Sequence, residues 1–110
     1  MFQVLVHEKK LEDGTEICTF SREIVSANIL EVEAGSNGYY GGDSGHGSRT
    51  YFRIEDLAST DMEVNIIDAG NGHVKGFEVT LGGDTELETM IKALKFITQC
   101  LEDAANEVVD

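Results

Sequence analysis

From Leu87 onward the apolar residues fall at Leu87, Met90, Ile91, Leu94, Ile97, Leu101, Ala104, Ala105 and Val108, spaced by threes and fours. Such spacing puts them on one face of a helix. Upstream the period is two: Leu30, Val32 and Ala34 alternate with Glu31 and Glu33, Met62, Val64 and Ile66 with Glu63 and Asn65, and Phe77, Val79 and Leu81 with Glu78 and Thr80. Strands followed by one long helix predict an α+β fold, an antiparallel sheet of five or six strands with the C-terminal helix packed on one face. Ala93, Phe96 and Cys100 widen the apolar surface of the helix beyond a single stripe. That surface has to be covered by the sheet or shared with another copy of the chain, and a homodimer is expected.

The remaining elements follow from turn chemistry. Phe2–Val6 reads as a core strand ending in the polar run His7–Lys10. Asp13-Gly14 marks a hairpin that returns through Ile17–Phe20. Ser21–Asn28 reads either as an irregular crossing or as a short helical turn. Tyr51–Ile54 forms a strand with Phe52 and Ile54 inward and Arg53 outward, where it can face Glu31 or Glu33. DAGNGHVKG predicts a hairpin with a longer loop. Gly82-Gly83 reads as a strand-to-helix turn, and Thr85-Glu86-Leu87-Glu88 fits a capping box. A phosphate loop at that turn is disfavoured, because Asp84, Glu86 and Glu88 already place negative charge at the helix N-terminus.

At 110 residues the chain suits one domain, spanning 1–110. Its 21 acidic residues against 8 basic ones leave a net charge of -13. Such a surface repels phosphate, which argues against direct nucleic-acid binding and against anionic membranes; it suits a basic protein partner or divalent cations, or serves solubility alone. Cys18 and Cys100 stand far apart in sequence and form neither a disulfide framework nor a zinc pattern, so buried free thiols are expected. The N-terminus lacks a signal-peptide pattern and no stretch is long and apolar enough to span a bilayer. A cytoplasmic location is the resulting expectation, and no cofactor is expected.

The segment Gly38–Phe52, GYYGGDSGHGSRTYF, carries GDSG, the string around the nucleophilic serine of trypsin-like proteases. A nucleophilic serine needs a histidine base oriented by a buried carboxylate. His46 lies only two residues from Ser44, and the chain is too short for paired barrels, so Ser44 is not expected to be a nucleophile. A metal site would draw on Asp43 and His46 with Glu33 or His73, but no HxH, HExxH or DxDxDG spacing occurs. Six glycines between Gly35 and Gly47 predict a long connection between strands, with Tyr39 and Tyr40 folding back over the sheet. Loops of this length often carry function. Tyr39, Tyr40, Asp43, His46 and Arg49 bring together aromatic, acidic, imidazole and guanidinium groups, and they form the candidate binding site.

Along GYYGGDSGHGSRTYFRIEDL and LGGDTELETMIKALKFI the chain resembles a small group of uncharacterised proteins from Gram-positive bacteria. The resemblance covers the middle and C-terminal two thirds. It implies a bacterial, cytoplasmic protein and brings no catalytic or binding residues with it.

Three functions fit these observations. The first is a non-enzymatic protein-interaction module using the Gly-rich loop and the acidic surface, one version being an acidic mimic of nucleic acid that occupies a basic groove. The second is a small hydrolase or metal-dependent enzyme centred on Asp43, Ser44 and His46. The third is a small-ligand-binding domain with its pocket between helix and sheet.

Overall fold

The computed structural model describes residues 3–40, 47–58 and 60–108. Strands β1 (Leu5–Lys10), β2 (Glu16–Val25), β3 (Ile29–Ser36) and β4 (Thr50–Ala58) form a four-stranded antiparallel sheet in that order. Strands β5 (Met62–Gly70) and β6 (His73–Leu81) form a separate two-stranded sheet, and helix α1 (Asp84–Val108) follows. The fold is therefore α+β, but with two sheets in place of one sheet of five or six strands. Alternation in sequence tells which face of a strand is apolar and not which strand lies beside it. The chain leaves β4 at Ala58, and Thr60 is drawn toward the β2–β3 turn by Asn28, whose Nδ2 donates to Thr60 Oγ1 at 3.0 Å. Strand β5 then pairs with β6 alone.

Several boundaries differ from the sequence expectation. The polar run His7–Lys10 belongs to β1, paired residue by residue with β2. An outer strand tolerates this because only one of its edges is bonded. Ser21–Val25 continues β2, so the ambiguous segment is neither helix nor irregular crossing. The β5–β6 connection is a tight turn: Gly70 pairs with His73, and Asn71 and Gly72 both take positive φ, at 58° and 77°. This is the primed geometry that matches the twist of a hairpin. Helix α1 begins at Asp84, where Leu87 N donates to Gly83 O at 3.1 Å. Thr85 is inside the first turn, and Glu88 pairs forward with Lys92 at 3.5 Å, so the expected capping box does not form.

The core lies between α1 and the face of the sheet that carries Ile24, Leu30, Val32 and Ala34, against Ala93, Ile97 and Cys100 of the helix. The helix runs chiefly over β3, with less contact to β2 and least to β4. The opposite face of the sheet is polar and concave. Lys9 of β1 places its ammonium 4.7 Å from the ring centroid of Tyr51 on β4, although two strands lie between them. That closure needs strong coiling of the sheet. Gly35 permits it at the centre, since a Cβ there would sit 2.2 Å from the Cys18 carbonyl oxygen. Thr19 and Ser21 are buried in the hollow.

The β5–β6 hairpin joins the body at its root. Asn28, 1% exposed, bonds Thr60 and accepts from Thr89 Oγ1 at 2.9 Å, while Gly82 N donates to Asp61 O at 3.0 Å. Beyond the root the hairpin projects, and the radius of gyration is 15.6 Å. A closed domain of this length has about 13 Å. No helix among the described residues is long and apolar enough to cross a membrane.

Candidate functional site

The Gly-rich segment enters and leaves through a neck built on the ends of β3 and β4. Asn37 is its centre. Its backbone N donates to Arg49 O at 3.2 Å, and its Oδ1 accepts from Arg49 N at 2.6 Å. Its Nδ2 donates to Tyr40 Oη at 3.0 Å and to Gly47 O at 3.2 Å. Ser48 Oγ donates to Gly38 O at 2.6 Å, and Ser36 Oγ accepts from Gly38 N at 2.9 Å. An Asn side chain mimics a backbone turn in this way because its oxygen and amide sit at the reach of main-chain groups. The neck is thus closed by side chains where the strand ladder has ended.

Arg49 extends the clamp to the β1–β2 turn, where its Nε donates to Asp13 Oδ2 at 2.7 Å. Asp13 Oδ1 accepts from Thr15 N at 3.0 Å. The Thr15 amide first, then the Arg49 guanidinium, hold the Asp13 carboxyl at about 2, well below its ordinary value. Of the predicted site residues, Tyr39, Tyr40 and Arg49 meet at the neck. Asp43 and His46, with Ser44, lie outside the described residues. Tyr39 and Tyr40 do not fold back over the sheet: they stand 64% and 50% exposed. Tyr39 borders a small groove with Leu101 and Ala105 of α1, and the Tyr40 ring packs so closely on Gly47 that a Cβ there would lie 3.0 Å from it.

The polar hollow is a second concentration of ionisable groups. Arg53 reaches Glu31 at 2.9 Å, Glu33 at 3.1 Å and Glu55 at 2.5 Å, so it faces both acids that the strand pattern indicated. Thr19 Oγ1 donates to Glu33 Oε2 at 2.5 Å. Burial pushes the Glu33 carboxyl up, but the Thr19 hydroxyl and the Arg53 guanidinium outweigh it and the net shift is downward. The neighbouring acids raise Arg53 against its own desolvation. The Glu33 carboxylate is thus bonded on both oxygens within the sheet. Ser21 shares a 2.8 Å hydrogen bond with His7 Nε2, the pairing of a hydroxyl with a base. Ser21 is only 3% exposed, which closes its oxygen to a substrate. Among the described residues no three of His, Cys, Asp and Glu stand together as a metal-ligand set.

Three further features were not legible in the sequence. Arg22, Lys92 and Lys95 border one groove on the β2 side of α1 with Phe96, so part of the sparse positive charge is gathered there. Cys18 is exposed rather than buried, and it borders the same groove as Cys100. Burial first, then Asp103, pushes the Cys100 thiol up. The third is an apolar cleft of about 450 Å³ between the β5–β6 hairpin and the body, with Phe52 and Phe77 ring centroids 6.3 Å apart across it. Each is an association of residues distant in sequence, which no local period reports. No family model, curated protein or solved structure is significantly similar to this chain.

Proposed function

We propose that this chain is a non-enzymatic protein-interaction module that offers the neck of its Gly-rich loop and its acidic surface to a basic protein partner. The observation that carries the reading is the neck itself: a side-chain clamp centred on Asn37 bonds the Tyr40 hydroxyl, and the adjacent Tyr39 and Tyr40 stand 64% and 50% exposed in a chain of net charge -13. Aromatic residues held rigidly at a rim contribute large contact area at low entropic cost. The chain's net negative charge would steer a basic partner and reject anionic ones.

The test is capture from lysate by the wild-type chain and by a Tyr39→Ala/Tyr40→Ala double variant, at low and high salt. Retention of one partner by wild type, lost with the double variant and weakened by salt, supports the reading. Equal capture by the double variant removes the neck as the site. A Tyr40→Phe variant separates the ring from its hydroxyl, which accepts from Asn37.

A further inference from the structure

The β5–β6 hairpin carries most of its apolar residues on one face, with Met62, Val64 and Ile66 opposite Leu81, Val79 and Phe77, while Ile67 lies on the other. Two strands with such a face are marginal in water unless something packs against it. The body covers it only in part: Val64 is 53% exposed, Ile66 62% and Phe77 54%. Across the cleft, Phe52 and Ile54 form a floor on β4, because α1 runs over β3 and leaves the β4 edge uncovered. Met90 forms the helical wall. Leu87 and Leu94, three residues before and four after Met90, lie on the same side of the helix, and Ile91 continues that stripe. Leu87, Ile91 and Leu94 are 62%, 45% and 49% exposed. The chain thus has an apolar cleft and, on one of its walls, an unpartnered apolar stripe of a long helix.

We propose that this cleft is the interface of a two-fold homodimer, in which each copy lays the Leu87, Ile91 and Leu94 stripe of its helix under the hairpin of the other. A self-complementary pairing of this kind closes by symmetry and covers both surfaces at once. The area fits. A folded monomer of 12.0 kDa exposes roughly 6,000 Å². This chain exposes 7512 Å², an excess of roughly 1,500 Å². A stable interface removes about 800 Å² from each partner, and the excess, summed over the whole chain, is large enough to include such an area. The charge distribution also selects the occupant. None of the residues bordering the cleft is a carboxylate, although the chain has 21 of them. The cleft therefore gives no hold to a basic partner and suits an apolar stripe such as the chain's own. This interface is separate from the loop neck, and either can fail without the other.

The experiment is sedimentation equilibrium of the full chain over a wide concentration range at about 0.05 and 0.5 M NaCl. The expected species has twice the mass of the 12.0 kDa chain, and it tightens with salt because two copies of net charge -13 repel. Leu94→Glu is expected to weaken association by roughly 100-fold by placing a charge in the apolar contact. Leu94 is half exposed in the single chain, so its circular dichroism should not change. Should that variant fold poorly, Val64→Asp on the hairpin replaces it. Location is read by mixing a Phe77→Cys variant with a Leu94→Cys variant, both lacking Cys18, under mild oxidation. A disulfide between the two variants supports the interface. A monomer at every concentration in both salts overturns the proposal. So does a dimer that Leu94→Glu leaves intact and that gives no mixed disulfide.

Discussion

Replacing Asn28 tests whether one buried amide holds the hairpin to the body. In Asn28→Ala two hydrogen bonds are lost, the 3.0 Å bond to Thr60 and the 2.9 Å bond from Thr89. Each contributes about 1 kcal/mol net. The Thr89 hydroxyl has one proton and a second acceptor, the Thr85 carbonyl at 2.7 Å, so it does not become an orphan. The missing carboxamide leaves a small void at a site 1% exposed, worth roughly another 1 kcal/mol. The total is about 3 kcal/mol. With a urea slope of about 1.5 kcal/mol/M, the midpoint falls by roughly 2 M. Far-ultraviolet circular dichroism at fixed protein concentration reads it, since association would shift the midpoint. Amide exchange in β5 and β6 should rise more than exchange in β2 and β3. The Asn28→Asp variant sharpens the test. It keeps the shape and the acceptor for Thr89 but puts a carboxylate where no cation is bonded to it. Its folded-state pKa is therefore raised, so the variant gains stability as pH falls through that value toward the ordinary carboxylate range, and is worst at neutral pH. A midpoint for Asn28→Ala within about 0.5 kcal/mol of wild type would refute the reasoning, as would an Asn28→Asp variant with the pH profile of wild type.

Gly35→Ala places a Cβ 2.2 Å from the Cys18 carbonyl oxygen and must push β2 and β3 apart, so it should cost about 3 kcal/mol in the same denaturation assay; a loss below about 1 kcal/mol would mean the strands yield freely. A carboxyl-detected NMR titration should find Asp13 near 2, and Arg49→Ala should restore only part of the ordinary value, because the Thr15 amide is the larger cause; full restoration would make the ion pair dominant. Glu33 has a lowered folded-state value, so its contribution is present above the ordinary carboxylate range and is lost as pH falls through the lowered one. Glu33→Gln should flatten the acid limb of the stability profile, and an unchanged limb would place the acid sensitivity elsewhere.

The helix, the six strands and the inward faces of β3 and β4 were legible in sequence, β3, β5, β6 and the helix from their periods and β1 and β2 from the Asp13-Gly14 turn between them. Arg53 facing Glu31 and Glu33 followed from the same alternation. Where the reading failed, the deciding contacts were long in sequence. Where β5 leaves the sheet, Asn28 binds Thr60 and Thr89, both distant in sequence. The strand character of His7–Lys10 rests on pairing with β2, not on hydrophobicity. The exposed stripe at Leu87, Ile91 and Leu94 matched the periodicity of the buried one, since a helix broadly apolar on two sides gives one merged signal. At the neck, Tyr39, Tyr40 and Arg49 stand out by composition, whereas Asn37, which bonds Tyr40 and Arg49, carries no mark distinguishing it from any loop asparagine.

The Asn37 clamp separates the geometry of the loop's two ends from what lies between them. Because Asn37, Ser48 and Arg49 close the neck through their own side chains and backbone, the spacing of the two ends is set by residues outside 41–46. Closing a longer flexible insert across two fixed ends adds little, about 0.6 kcal/mol for each doubling of its length. The chain is therefore suited to serve as a display scaffold: foreign peptides grafted between Tyr40 and Gly47 should leave the thermal midpoint nearly unchanged, provided Asn37 is kept.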